Sequence, residues 1–149
     1  MSMFKFEQEL PYAVKVMEKI DTSQVLALKE LGYGQSCYAI DSMHKREMAF
    51  RTKDLRLIDK NTARLISTVV GGKRVNLSIN DASEWAIMME PIRNLKIYYV
   101  LQRNSPEFED EVLTFYDKEI KNIEIPIDDL YDFTRLCANA LVRAARSTR

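Results

Sequence analysis

Two stretches of this chain can be laid over one another without a gap: KRVNLSINDASEWAIMM, from Lys73, and KNIEIPIDDLYDFTRLC, from Lys121, at a constant shift of 48 residues. Val75 then meets Ile123, Leu77 meets Ile125, Ile79 meets Ile127 and Trp85 meets Phe133. Apolar residues at every second position describe a half-buried strand, because successive strand side chains point to opposite faces. The Asn80-Asp81 and Asp128-Asp129 pairs that follow offer short acidic or amide side chains that cap helices. The spacing therefore predicts an internal repeat in which a strand leads into a helix.

With 149 residues, 46% of them hydrophobic, the chain is about one domain's worth and can bury a core. The expectation is a single domain over residues 1–149, with repeats at about 24–92 and 93–149. Its class is α+β: each repeat is an antiparallel strand meander closed by one helix, with the helices packed on the sheets. In the first repeat Val25 to Leu31, SCYAID, EMAFRTKDLRLID and ARLISTVV read as strands, and a short helix spans about Ala82 to Glu90. Gly71-Gly72 reads as a hairpin turn before KRVNLSI. In the second, LKIYYVLQ, EVLTFYD and KNIEIPI read as strands, and a long helix runs from Asp129 to about Arg146. Its apolar face comprises Leu130, Phe133, Leu136 or Cys137, Ala140, Leu141 and Ala144. A further short helix is expected after Pro11, with Val14, Met17 and Ile20 at helical spacing.

GYGQSCYAI, residues 32–40, resembles the presentation of a thiol nucleophile. Its cysteine has one histidine to call on, His44, and seven residues separate them. That spacing is about 10 Å of rise on a helix and opposite faces on a strand. No third orienting group is marked, and no P-loop, G-x-G-x-x-G or H-E-x-x-H occurs. The reading is a protein that is not an enzyme and needs no cofactor. Cys37 and Cys137 form no CxxC pair, so neither a zinc site nor a disulfide framework is expected. MSMFKFEQELPYAVKV lacks a secretory pattern, and no apolar run reaches the roughly 18 residues of a membrane span, so a soluble intracellular protein is expected.

The net charge is zero, yet the charges are segregated. From His44 to Asn104 there are 12 Lys/Arg against 6 Asp/Glu; from Ser105 to Asp132 there are 2 against 10. A basic middle, an acidic stretch and a basic tail suit one anionic ligand together with a self-complementary contact between subunits.

The stretches RVNLSINDASEWAIMM and NIEIPIDDLYDFTRLCANAL resemble the repeat ends of the Whirly-type single-stranded DNA-binding proteins and their mitochondrial RNA-binding and coactivator relatives. The family's Lys-Gly-Lys-Ala-Leu run is replaced here by QVLALK, in which only Lys29 is basic. The resemblance implies a homo-oligomer that binds single-stranded nucleic acid, DNA before RNA, with little sequence preference. Such a binder needs a basic track interleaved with aromatic platforms, each stacked base contributing about 1–3 kcal/mol. Strand alternation then nominates Lys96 and Tyr98 on one face, Tyr116 with Lys118, and Arg64, while Lys53, Arg56, Lys73 and Arg74 extend the positive field. A second reading comes from another class: a protein-binding adaptor or inhibitor whose exposed strands and acidic loop 105–111 engage a basic partner.

Overall fold

The computed structural model describes residues 17–34 and 36–148, the side chains of Ser36 and Cys37 excepted. The class is α+β. Among the described residues, strands β1 (Val25–Leu26), β2 (Lys73–Val75), β3 (Ser83–Met89), β4 (Ile97–Gln102) and β5 (Glu111–Asp117) join in one antiparallel sheet of order β1-β5-β4-β3-β2. Three α-helices among the described residues accompany it: α1 (Ser36–Leu55), α2 (Lys60–Val69) and α3 (Ile127–Ser147).

Both faces of the central strands are covered. Ile97, Tyr99 and Leu101 join Trp85, Ile87 and Met89 in the core that receives Met48, Leu55, Ala63, Ile66, Leu130, Ala138 and Leu141 from the helices. Tyr98 and Val100 lie on the other face with Ala86, Met88, Val25, Val75 and Leu77, against which Ile20 and Ile79 pack. Glu18 and Ile20 tie the chain before β1 to Asn76 by backbone hydrogen bonds of 2.8 and 2.9 Å.

In the second half the strands at LKIYYVLQ and EVLTFYD and the long helix form as expected, but KNIEIPI is not a strand: Lys121 and Asn122 end a 3₁₀ turn (Lys118–Asn122), Ile127 opens α3, and the chain between them lies outside the sheet with Ile123 and Ile125 packed on the core. In α3 Leu130, Cys137, Leu141 and Ala144 are buried as expected, but Leu136 is exposed and Thr134 is buried instead. Asp128 and Asp129 sit inside its first turn, where they complement the helix dipole; Pro126 holds the cap position.

The first half departs from the reading. SCYAID and EMAFRTKDL lie in α1, and ARLISTV lies in α2, capped by the Asp59 carboxylate, which accepts from the Thr62 N–H at 2.8 Å. The residues read as a helix from Ala82 form β3 instead. Five consecutive buried residues, Trp85 to Met89, show no alternation, and Ala, Met and Glu favour helices in isolation. The matched windows therefore take different structures: strand after Asn80-Asp81 and helix after Asp128-Asp129, and only the first window contributes strands, β2 and β3, to the sheet. Val25 to Leu31 is a two-residue strand followed by a 3₁₀ turn at Leu28–Glu30. Gly71-Gly72 joins a helix to a strand; Gly71 has φ +74°, and a Cβ on Gly72 would sit 2.7 Å from the Met88 carbonyl oxygen. Most of the helix expected after Pro11 lies outside the described residues; its end is extended, with Lys19 bridging Asn76.

No helix among the described residues is long and apolar enough to cross a membrane.

Candidate functional site

The sheet separates the two tyrosines nominated as stacking platforms. Tyr98 pairs with Phe115, and Tyr116 pairs with Ile97, so Tyr98 and Tyr116 face opposite sides. Neither is free to stack. Tyr98 is buried beside Asp117, and burial followed by that carboxylate raises its hydroxyl pKa. Tyr116 is buried under α3, its hydroxyl 2.7 Å from Thr134 Oγ1. Lys118 is exposed on the 3₁₀ turn beyond β5 and does not continue the face of Tyr116.

The basic residues form separate groups. Lys96 is half-buried just before β4. Arg64 is exposed on α2, near Arg74, whose Nη1 donates to the Lys60 carbonyl at 2.9 Å. Burial, followed by the charge of Arg64, lowers the Arg74 pKa. Lys73 Nζ lies 3.8 Å from Glu18. Only Lys53 and Arg56 are brought into a concave site, and there they meet the acidic loop.

That site is a groove of about 1100 Å³ between α1 and β5. One wall is a single side of α1, where Asp41, His44, Lys45, Met48, Thr52 and Lys53 recur at helical spacing. The other wall is the loop from Ser105 to Asp110 and the strand residues Glu111 to Phe115. Consecutive strand residues point to opposite faces, so five in a row can border one groove only where the strand presents its edge. β1 covers that edge only opposite Tyr116 and Asp117.

The backbone register decides which groups the edge offers. The Asp117 N–H donates to the Lys96 carbonyl at 3.2 Å, toward β4. By antiparallel alternation Phe115, Leu113 and Glu111 also turn toward β4, whereas Tyr116, Thr114 and Val112 turn outward. Leu26 of β1 pairs with Tyr116. Among the described residues no strand pairs with Val112 or Thr114 on the outer side.

The acidic loop is held by one of its own carboxylates. Asp110 Oδ1 accepts from the backbone N–H groups of Asn104 and Ser105 at 2.9 and 3.0 Å and from Ser105 Oγ at 3.0 Å. These donors, the Ser105 N–H foremost, and the nearby Arg103 keep its carboxyl below the usual range. Asp110 Oδ2 faces Arg103 Nη1 at 3.5 Å and Arg56 at 3.8 Å. Arg103 also binds Glu84 at 2.7 Å, donates to the Ile58 carbonyl at 3.0 Å, and reaches the Arg56 carbonyl. One guanidinium thus fixes the end of α1, β3 and the loop together. Asp110→Ala is expected to lower stability by about 2 kcal/mol, because it strips an ionised acceptor from several donors. Urea denaturation measures the loss, and faster amide exchange at Asn104 and Ser105 locates it.

With Asp110 engaged, Glu107, Glu109 and Glu111 are the exposed acids of this wall, and none forms an ion pair among the described residues. Across the groove Lys45 pairs with Asp41 at 3.4 Å, and Lys53 Nζ lies 5.0 Å from the centre of the Phe50 ring. Phe108 at the loop tip is 77% exposed.

His44 is buried in the α1 wall with Nε2 2.7 Å from Thr114 Oγ1 and its ring edge-on to Tyr131. Burial lowers its pKa to about 4, against the smaller opposing pull of Asp41 and Glu47. Cys37 and His44 lie seven residues apart on one helix, about 10 Å along its axis. Cys137 is a core residue whose thiol burial pushes up to about 11. Among the described residues no group of three His, Cys, Asp or Glu side chains is arranged to hold a metal ion.

Sequence reasoning missed the α1 wall, because it read that segment as strand, and it missed Arg103 altogether. The usable signal was the spacing of Asp41, His44, Lys45, Met48 and Thr52. It was hidden because polar residues occupy the inner side while Met43, Phe50 and, just past the helix, Leu57 are exposed. The chain matches no family model, no curated protein and no solved structure.

Proposed function

We propose that this protein is a protein-binding module that takes an extended, basic segment of a partner into the groove, adding it as a strand to β5. The observation that carries this reading is the outer edge of β5 from Glu111 to Phe115, unpaired by any described strand and bordering a groove. Strand addition needs a row of free backbone donors and acceptors for affinity and neighbouring side chains for selectivity. Val112, itself 5% exposed, and Thr114 are the positions whose outward backbone groups no described strand pairs, along an edge of about five residues. Glu107, Glu109 and Glu111 supply the side chains for selectivity, since they are the charges on the groove's rim left without an internal partner.

Nucleic-acid binding is the competing reading. Lys53 and Arg56 retain it some support, but the two tyrosines nominated for stacking are buried, and the exposed aromatic of the groove, Phe108, stands between Glu107 and Glu109, which repel phosphate.

A short synthetic peptide alternating threonine and lysine is the probe. Nuclear magnetic resonance is expected to show added exchange protection at the Val112 and Thr114 amides, with Leu113 and Phe115 already protected in the free protein. Glu109→Lys and Glu111→Lys should weaken binding about tenfold together, given the modest strength of exposed charge pairs. Protection that fails to follow this even–odd pattern sinks strand addition. Salt-sensitive binding of oligothymidylate that Lys53→Glu abolishes, with no peptide binding, would instead favour the nucleic-acid reading.

A further inference from the structure

The outer side of α3 carries a pattern that its own fold does not use. Leu136 is 57% exposed at the middle of the helix. Asp129 lies seven residues before it and Arg143 seven residues after, each about two turns and roughly 10 Å away along nearly the same line. Both charges are exposed, and neither forms an ion pair among the described residues. Their neighbours do: Asp132 pairs with Arg135 at 3.2 Å, and Arg146 with Asp54 at 3.1 Å. Beside this line Val69, 66% exposed on α2, borders a hollow with Ala140, Arg143 and Ala144, and Leu65 follows one turn away at 56% exposure.

An apolar centre with opposite charges at equal distances on either side is complementary to itself when inverted. We propose that a second copy of this chain covers this face, with two α3 helices antiparallel about a two-fold axis at Leu136. Leu136 then meets the partner's Leu136. Asp129 meets the partner's Arg143, and Arg143 meets the partner's Asp129. The contact is isologous, so it closes on itself as a dimer and leaves the β5 groove open. The apolar rim from Leu65 and Val69 adds area that a lone chain would leave in water.

Sedimentation equilibrium of the full chain tests this. The wild type is expected to dimerise reversibly, and Leu136→Glu should abolish the dimer. Asp129→Arg and Arg143→Asp should each weaken it at least about tenfold, because each puts like charges opposite one another twice. An equimolar mixture of the two single variants should dimerise again, since every mixed pair then matches opposite charges at both ends. Circular dichroism confirms that the variants, all at exposed positions, remain folded. A wild type that stays monomeric at concentrations on the order of 100 μM overturns the proposal. So do single variants that dimerise like the wild type, or a mixture that remains monomeric.

Discussion

Trp85→Ala is expected to destabilise the protein by about 3–5 kcal/mol, the range for truncating a large buried aromatic. Trp85 is 3% exposed in β3, inside the core that the helices share with the sheet. Its Nε1 donates to the Ile58 carbonyl at 3.0 Å, in the short connection between α1 and α2. Truncation therefore opens a cavity and loosens the connection on which both helices depend. The carbonyl is not orphaned, because Arg103 also donates to it at 3.0 Å. Trp85→Phe, which keeps most of the ring's burial, should consequently cost only about 1–2 kcal/mol. The chain has one tryptophan, so wild-type unfolding can be followed by fluorescence. The variants need far-ultraviolet circular dichroism. Equal losses for Phe and Ala would show that the hydrogen bond, and not the packed volume, dominates.

The second large effect is a dependence on pH carried by His44. Its folded pKa is lowered to about 4 from an ordinary 6.5, because burial disfavours the imidazolium. The unfolded chain therefore binds the proton first as pH falls. Above about pH 6.5 the residue is neutral in both states and costs nothing; between there and about pH 4 stability falls, by roughly 3 kcal/mol in total. The groups facing it, Asp41, Glu47 and Arg51, partly oppose one another and leave burial as the larger effect. His44→Gln should flatten this part of the stability profile, measured by urea denaturation at a series of pH values. A profile unchanged by the substitution would mean that carboxylates, and not His44, carry the acid sensitivity. Thr114 contacts the same ring, so acid should also loosen the α1 wall of the groove.

These two residues illustrate unequal legibility. Trp85 lay in a continuous apolar run, WAIMM, which looks the same whether a segment is a helix or a strand buried on both faces. β4 is equally buried, yet its alternation of Tyr and Val with Ile and Leu, together with its β propensity, made it readable. α2 was readable in principle: Asp59 caps it, and Ala63, Ile66, Ser67 and Val70 follow at helical spacing. The β-branched Thr68-Val69-Val70 end argued the other way and prevailed in the reading. α1 was not readable by apolar periodicity, since its inner side holds Asp41, His44 and Thr52, polar residues that form no apolar stripe. Thr52 bonds its own helix, at the Met48 carbonyl, but His44 needs Thr114 from a strand 70 residues away.

The candidate site shows the same division. The acidic loop, Lys53 and Arg56 stood out as charges, but as members of two competing readings. Their meeting at one groove follows from the pairing of Asp110 with Arg103 and Arg56, which no local pattern marks. The tyrosines were assigned to opposite faces only by the register of β5 on β4.

By itself the sequence determined an α+β chain, the strands β4 and β5, the long helix α3 and the segregation of charge. Each of these depends on side chains that alternate or recur along a single element. The tertiary structure alone decided the strand order, the helical state of α1 and the five-residue edge of β5 that no described strand covers. These depend on which distant backbone groups find each other, and a hydrogen-bond ladder closed between residues far apart leaves no local trace in the residues that form it.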